Sequence, residues 1–279
     1  MDGIFLVDKP SGLTSHDVVI KIKKQFKLNK VGHTGTLDPF ATGLLIILVG
    51  KATKLAFLFD ELDKQYSGQI TLGQAYDTDD VTGQVLDEKL VNFTKDKLEE
   101  IIQTIKPHYM QIPPNYSAIK KDGIKAYDAA RMGQALKLSP RPVEIYEFNY
   151  KIDDTIIDFD THVSKGTYIR SIARDIGLKL NTYGALKTLR RTAIGSYMIE
   201  HAKPLTQLSE NDLIDHRQLF NKIPKLKLND YLIKLVKNGV KLDERQISTD
   251  QPFVVVDQHD LMIAYYVPDG KDYKVKYFF

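Results

Sequence analysis

Apolar residues near the start of the chain recur with the periodicity of an α-helix. Four apolar residues recur at helical intervals: Val18, Val19, Ile22 and Phe26. Lysines occupy the opposite face of this segment. Thr14 and Asp17, just before it, have the spacing of a helix-capping box. A basic amphipathic helix is therefore predicted here.

Other apolar runs are shorter and predict strands. Residues 44–49 are too few for a typical buried helix and lie between Gly43 and Gly50, which indicates an interior strand. Further strands are predicted at 66–72, 142–152 and 156–163, and helices near 94–105 and 168–180. This order predicts an α+β fold, with a mixed, mainly antiparallel sheet flanked by helices.

Two stretches interrupt the pattern. Residues 111–142 start with a proline-bounded segment and contain a predicted helix at 127–132, so they form either a mobile lid or a packed excursion. Polar and basic residues around Pro224 mark a domain boundary. The predicted domains are 1–222, which includes the insertion 111–142, and 223–279.

The second predicted domain is a small β domain, with strands at 253–256 and 261–267. Four aromatic residues near its end favour closure of a small β barrel. These are Tyr273, Tyr277, Phe278 and Phe279.

Composition narrows the class of protein. The chain is 43% apolar and 27% charged, values typical of globular proteins, and no apolar run approaches the ~20 residues that span a bilayer. We therefore expect no membrane association. With no cysteine and no histidines at zinc-ligand spacing, thiolate chemistry is excluded and no metal is expected.

The net charge of +3 is too small to establish a nucleic-acid partner, but the charges are clustered. Lysines crowd residues 21–30, and a second group of basic residues lies within 170–191. Each cluster is interpreted either as an RNA-binding surface or as a solvated helix face.

The strongest candidate for chemistry is the segment from Gly32 to Gly43, which holds one carboxylate among glycines and threonines. Pro39 biases Asp38 away from helical dihedrals, so its carboxylate is predicted at a rigid turn. An Asp-Pro turn without catalytic purpose is the alternative. A nucleophilic carboxylate must stay ionised, and Arg170, near the start of the predicted helix at 168–180, is the candidate cation that holds its pKa down.

The segment Gly32-His33-Thr34-Gly35-Thr36-Leu37-Asp38-Pro39, followed by Ala41-Thr42-Gly43, resembles the signature of TruB-type tRNA pseudouridine synthases. Further motifs of this family are matched in order along the chain. They are Asp8-Lys9-Pro10-Ser11-Gly12, Asp63-Lys64-Gln65-Tyr66, Leu72-Gly73 through Asp77-Thr78-Asp79-Asp80 to Gly83, residues 164–170, and Leu189-Arg190-Arg191. The resemblance thus covers residues 8–191.

This resemblance implies the roles of several residues. Asp38 matches the family's nucleophile, Arg170 the arginine paired with it, and Tyr66 the tyrosine that stacks on the target base and assists proton transfer. His33 matches a histidine that takes the space of extruded nucleotides. Tyr168 and Leu189 match residues that line the uracil pocket. By the same resemblance, Lys9 and Pro10 support the floor of the site.

The resemblance also implies the reaction and its context. The protein is expected to isomerise uridine to pseudouridine at position 55, in the T loop of the tRNA T arm, by flipping the base and without cofactor or metal. A cytoplasmic monomer with a PUA-like domain at 223–279 is expected. Whether Asp38 attacks the ribose or the uracil ring stays open.

Two other functions are retained as alternatives. One is an RNA-binding or tRNA-folding protein that keeps the scaffold without essential chemistry. The other is a glycosidase acting on a free nucleoside, which needs a second carboxylate across the scissile bond. Asp77, Asp79 or Asp80 is the candidate for that second carboxylate.

Overall fold

A computed structural model describes residues 1–121, 123–134 and 136–279 of the protein. The helices are α1 (Ser15–Gln25), α2 (Phe57–Asp60), α3 (Lys95–Thr104), α4 (Ala126–Arg131), α5 (Ile169–Lys179) and α6 (Asp230–Lys237). The first strands are β1 (Gly3–Lys9), β2 (Val31–His33), β3 (Thr42–Val49), β4 (Lys64–Leu72), β5 (Gln74–Tyr76), β6 (Val85–Glu88), β7 (His108–Gln111), β8 (Lys120–Lys121) and β9 (Ile124–Lys125). The remaining strands are β10 (Arg141–Asp153), β11 (Ile156–Val163), β12 (Gly184–Ile194), β13 (Tyr197–Met198), β14 (Lys203–Pro204), β15 (Ile214–Asp215), β16 (Lys225–Lys227), β17 (Phe253–Val256), β18 (Met262–Asp269) and β19 (Asp272–Phe278).

Most strands belong to one 11-stranded sheet, whose main path is β14-β1-β3-β12-β4-β11-β10-β7. Outside this path, β2 pairs with β3, β13 with β12, and β15 with β1. Most neighbouring strands along this path pair antiparallel, whereas β12 runs parallel to β3 and β14 runs parallel to β1. The predicted α+β fold with a mainly antiparallel mixed sheet flanked by helices is confirmed.

Helices α1, α3 and α5 cover this sheet with their apolar faces. Val18, Val19 and Ile22 of α1 pack into the core formed with β1 and β3. Helices α3 and α5 share a second core with β4, β10 and β11. The Thr14–Asp17 capping box is present as predicted, and it starts α1 at Ser15.

The insertion predicted at 111–142 leaves the sheet after β7 and returns at β10. It contains the β8–β9 hairpin and α4, which agrees with the helix predicted at 127–132. Positions 122 and 135 of this insertion lie outside the described residues.

The chain after residue 222 forms its own four-stranded sheet, β16-β17-β18-β19, packed with α6. The strand order is linear, so the sheet is open within the described residues, unlike the predicted closed barrel. Tyr277 and Phe279 instead face the large sheet and pack with Phe220, at centroid distances of 6.2 and 4.8 Å. Of the four aromatic residues, Tyr273 packs into this sheet's own core, and Phe278 is exposed. The domain bounds 1–222 and 223–279 stay a prediction.

Candidate functional site

The candidate catalytic loop, residues 34–41, connects β2 to β3. Ser15 at the start of α1 holds it through two hydrogen bonds: Leu37 N donates to Ser15 Oγ (2.8 Å), and Ser15 Oγ donates to Leu37 O (3.2 Å). Gly12 N donates to Pro39 O at 2.8 Å. Asp38 therefore lies in a turn whose backbone is anchored on both sides.

Two buried cations support this loop from behind. Arg191 on β12 donates to Leu44 O (2.8 Å), Gly35 O (3.2 Å) and Thr36 O (3.4 Å). Lys9 on β1 is fully buried, and its Nζ donates to Leu13 O (2.6 Å), Pro10 O (2.9 Å) and Pro39 O (3.3 Å). Burial lowers the pKa of Lys9 to about 8.

The end of the loop lies directly against β12. Gly43 has φ +102°, and a Cβ atom there would lie 2.3 Å from Arg191 O. Only glycine fits this conformation and this approach. The glycine that closes the sequence motif is thus required for the parallel contact between β3 and β12, which begins at Thr42 and Gly43.

Asp38 and Arg170 form a bidentate ion pair. Arg170 Nε lies 2.9 Å from Asp38 Oδ2, and Nη2 donates to Asp38 Oδ1 at 3.1 Å. Arg170 lies in the first turn of α5, 132 residues from Asp38 along the chain. Its remaining N–H groups donate to Thr78 O (2.9 Å) and Tyr116 O (2.9 Å), and Asp80 Oδ2 is 3.6 Å from Nη1. The guanidinium is thus held by two separate segments, the turn that contains Thr78 and Asp80 and the segment that contains Tyr116, while it faces the carboxylate.

Electrostatics at Asp38 differ from the sequence-based expectation. Burial raises the pKa of Asp38 above its ordinary value, while the positive charge of Arg170 opposes the shift. We predicted that a nearby cation holds this pKa down; the cation is present, but burial outweighs it. The pairing therefore limits a shift that burial alone would make larger.

The predicted site residues line a single cavity of about 830 Å³. They are His33, Asp38, Tyr66, Tyr168, Arg170 and Leu189. Tyr66 on β4 and Leu189 on β12 come from neighbouring strands of the central sheet. Tyr168 precedes α5, and burial raises the pKa of its phenol.

His33 lies at the end of β2 with its ring half buried. Burial lowers the pKa of this imidazole, and the positive charges of Arg191 and His16 lower it further. Gly35 N donates to His33 Nδ1 at 3.3 Å, so the other ring nitrogen carries the proton of the neutral form. His33 therefore offers an uncharged ring to the cavity.

The cavity also contains residues that were not predicted as site residues. Tyr116, Ser117, Lys125 and Tyr127 come from the insertion, and Lys64 comes from β4. The proline-bounded start of the insertion marked it in the sequence, but it left open whether the insertion reaches the cavity. Lys64 stands in the matched motif Asp63-Lys64-Gln65-Tyr66, two residues before Tyr66.

The described ranges contain neither a metal-binding cluster of side chains nor a helix that could span a membrane. No group of three or more His, Asp or Glu side chains within them is arranged to hold a metal ion. None of the helices within them is long and apolar enough to cross a membrane.

Comparison with known proteins relates this arrangement to a family. The model of the TruB family pseudouridylate synthase (N terminal domain) matches residues 23–169. The chain is 64% identical over 279 residues to the tRNA pseudouridine synthase B of Acholeplasma laidlawii (strain PG-8A), covering 100% of both chains. It is 52% identical over 285 residues to the protein of that name from Onion yellows phytoplasma (strain OY-M), again over 100% of both.

Solved structures show the same fold. The structure described as a Cbf5-Nop10-Gar1 complex contains a chain that superposes with a TM-score of 0.69 at 24% identity, covering 95% of this chain and 78% of that chain. The family model and the full-length relatives indicate one family, and the fold is consistent with it. The chain belongs to the TruB family of pseudouridylate synthases.

Proposed function

We propose that this protein converts uridine to pseudouridine at position 55 in the T loop of tRNA. The observation that carries the proposal is the Asp38–Arg170 ion pair, which faces a cavity large enough for a flipped nucleotide. Membership of the TruB family supports the reaction, and the names of the full-length relatives support tRNA as the substrate.

The reaction breaks the bond between ribose C1′ and uracil N1 and forms a bond between C1′ and uracil C5. C5 loses a proton and N1 gains one, so atoms and electrons balance within the substrate. Asp38 acts as the nucleophile that holds either the sugar or the base between these two steps. Arg170 orients the carboxylate and limits the rise of its pKa.

The other cavity residues bind and orient the base. Tyr66 stacks on the uracil, and its hydroxyl or a water accepts the C5 proton. Tyr168 and Leu189 close the apolar sides of the pocket. His33 occupies the space that the flipped nucleotide leaves, and its uncharged ring can stack there without carrying a buried charge.

A lysine-rich surface next to the cavity is a candidate contact for the RNA backbone. It consists of exposed lysines on α1, on the turn before β2 and after β3: Lys21, Lys23, Lys24, Lys27, Lys30, Lys51 and Lys54. Within the described ranges, none of these lysines forms an ion pair with a carboxylate. Lys30 and His33 are separated by one short strand, roughly 10 Å of extended chain, so RNA bound at the cavity also reaches this surface.

We propose residues 1–222 as the catalytic domain and residues 223–279 as a PUA-like domain, supported by the separate sheet after residue 222. We also propose that the protein acts as a monomer. Because bacterial tRNA is modified in the cytoplasm, we propose that location for the enzyme.

The glycosidase alternative lacks support from the acidic turn. Asp79 pairs with Arg174, and Asp80 accepts hydrogen bonds from Thr82. Asp77 accepts a hydrogen bond from Gln84 N. None of the three aspartates is among the described residues that line the cavity. A second carboxylate across a scissile bond is therefore missing from the part of the cavity that the structure describes.

Tritium release tests the proposed function. An unmodified tRNA transcript labelled at uracil C5 is incubated with wild type, with Asp38→Asn, and with wild type on a transcript that lacks the T-loop uridine. We expect release only by wild type on the complete transcript, while Asp38→Asn still binds it. Binding without release by wild type would support the RNA-folding alternative, and free uracil among the products would support the glycosidase.

A further inference from the structure

Helix α5 carries a second, partly buried arginine, Arg174, one turn after Arg170. Residues four apart project from the same helix face, so the two guanidiniums point toward the same side of α5. Arg174 is not among the described residues that line the cavity. From its contacts we infer that Arg174 is a positioning residue, which holds the two segments that keep Arg170 aimed at Asp38. The inference rests on the proposed function of that pair.

The Arg174 guanidinium contacts three different groups. Nη1 lies 2.8 Å from Asp79 Oδ2, and Nε lies 2.9 Å from Asp175 Oδ1. Nη2 donates to Ile112 O at 2.8 Å. The side chain is 23% exposed, and that of Asp79 is 14% exposed. Arg174 therefore connects α5 to the acidic turn at 77–80 and to the start of the insertion.

The acidic turn at 77–80 contains the residue that Arg174 holds. Asp79 has φ +61°, a left-handed conformation that residues with a side chain rarely adopt. The residue before it, Thr78, supplies the carbonyl that accepts from Arg170 Nη1, and the residue after it, Asp80, lies 3.6 Å from the same nitrogen. Leu186 N on β12 donates to Asp79 O at 3.0 Å, and Arg174 holds the Asp79 side chain, so these two contacts together set the position of both neighbours.

The start of the insertion is held in the same way. Ile112 O accepts hydrogen bonds from Arg174 Nη2 and from Ser171 Oγ (2.8 Å). Pro113 and Pro114 follow and restrict the backbone up to Tyr116, whose carbonyl accepts from Arg170 Nη2. The second carbonyl acceptor of Arg170 thus also depends on a segment that Arg174 anchors.

Arg170 can present Nε and Nη2 to Asp38 only while its other N–H groups keep their acceptors. If the turn at 77–80 and the segment at 112–116 move away from α5, Arg170 follows them or loses two acceptors. In either case the bidentate geometry at Asp38 is lost, although no group that touches the substrate has been changed. We therefore expect an effect on the rate of the chemical step.

Kinetics of Arg174 variants on the tRNA transcript test this inference. Arg174→Met keeps most of the side-chain length and removes all three polar contacts, and we expect kcat to fall about 10- to 100-fold with KM unchanged within about twofold. Arg174→Lys should recover part of kcat, because one ammonium can still pair with Asp79. Arg245→Met is the matched control: it removes a surface arginine paired with Asp243 (2.6 Å), and kcat should not change.

A double-mutant cycle separates positioning from a general loss of stability. Asp79→Asn should lower kcat. The double variant with Asp79→Asn and Arg174→Met should lower kcat little more than Arg174→Met alone, because both substitutions break the same Arg174–Asp79 ion pair. Additive losses, an unchanged kcat in active Arg174 variants, or a rise in KM without a fall in kcat would each overturn the inference.

Hydrogen exchange gives a readout that does not require turnover. In Arg174→Lys we expect faster amide exchange at residues 76–82 and 112–118 than in wild type, with α6 unchanged. Unchanged exchange in both segments would contradict the inference. If wild type released no tritium, the proposed function would fail, while this measurement would still decide whether Arg174 holds the two segments.

Discussion

At the scale of single residues, the site depends on a balance between burial and charge at Asp38. Burial raises the pKa of this carboxyl, and the Arg170 guanidinium works against that rise. An arginine suits the position better than a lysine, because its planar group can bind both carboxylate oxygens and still donate to Thr78 O and Tyr116 O. A cation at the start of a helix is unfavourable by itself, and the carboxylates of Asp38 and Asp80 offset that cost.

Replacing Arg170 by lysine tests this balance. We expect kcat to fall about 100-fold or more, because a single ammonium cannot hold the carboxylate in the bidentate geometry. The pKa of Asp38 rises further when the pairing weakens, and the ionised form is the active one. The acidic limb of the pH–kcat profile should therefore move to higher pH in Arg170→Lys than in wild type.

The matched control for this change is Arg245→Lys, since Arg245 also contacts both oxygens of one aspartate but lies on the surface. Its pH profile should coincide with that of wild type. An acidic limb that stays in place in Arg170→Lys would show that Arg170 does not control the ionisation of Asp38.

At the scale of elements, α5 and the start of the insertion act together. Gln111 at the end of β7 is almost fully buried, and its side chain binds both backbone groups of Tyr168 just before α5. Its Oε1 accepts from Tyr168 N (2.8 Å), and its Nε2 donates to Tyr168 O (3.1 Å). Tyr109 and Asp175 add a hydrogen bond between β7 and α5. The sheet edge thus fixes where Tyr168 enters the cavity.

Gln111→Leu should therefore affect both stability and activity. It removes the acceptor of Tyr168 N and one of the two donors to Tyr168 O, which Ile172 N still contacts at 3.3 Å, and we expect the free energy of unfolding to fall by about 2 kcal/mol. Urea unfolding followed by circular dichroism measures this change. The activity should fall as well, because Tyr168 lines the cavity.

Gln69→Leu serves as the control for this prediction. Gln69 makes one hydrogen bond to Asp158 (2.8 Å) near the surface of the same sheet, so its replacement should change the free energy of unfolding by less than about 0.5 kcal/mol. Equal effects of the two substitutions would contradict the special role of Gln111.

At the scale of the whole molecule, the two sheets share one apolar core. Residues of β1 and β3 cluster with Val254, Tyr265 and Tyr277 of the second sheet. The aromatic group around Phe220 joins them, with Phe220 and Tyr265 at a centroid distance of 5.0 Å. The second sheet is thereby packed against the large sheet, and the charged surface of α1 is left exposed.

That lysine-rich surface should govern how binding depends on salt. We expect Lys30→Ala and Lys54→Ala each to reduce the magnitude of the slope of log K against log salt concentration by about 1, because each removes one phosphate contact. Binding of the transcript to an Asp38→Asn background between 50 and 200 mM KCl measures the slope without turnover.

Lys241→Ala is the control, since Lys241 is already paired with Asp269 at 2.8 Å. Its slope should match that of the background protein. If Lys30→Ala and Lys54→Ala also leave the slope unchanged, the lysines are a solvated helix face rather than an RNA contact.

The local pattern of the sequence was sufficient for the main elements and for the loop that carries Asp38. Helical and strand periodicity predicted α1, α3, α5, β4, β10 and β11 to within a few residues, because each buries one face against its neighbours. Helix α6 was missed, although Asn229 caps it and Ile233 and Val236 are spaced as on a helix face. Its eight residues are too few for a strong periodic signal.

Only the tertiary structure decided what depends on distance and burial. It brought Arg170 to Asp38 across 132 residues, and it determined the direction of the Asp38 pKa shift. It directed Tyr277 and Phe279 toward the large sheet, and it joined Arg174 to two remote segments. A sequence shows which side chains can pair and which faces are apolar. The pairs that form and the charged groups that become buried depend on long-range packing, which the local spacing of residues does not reveal.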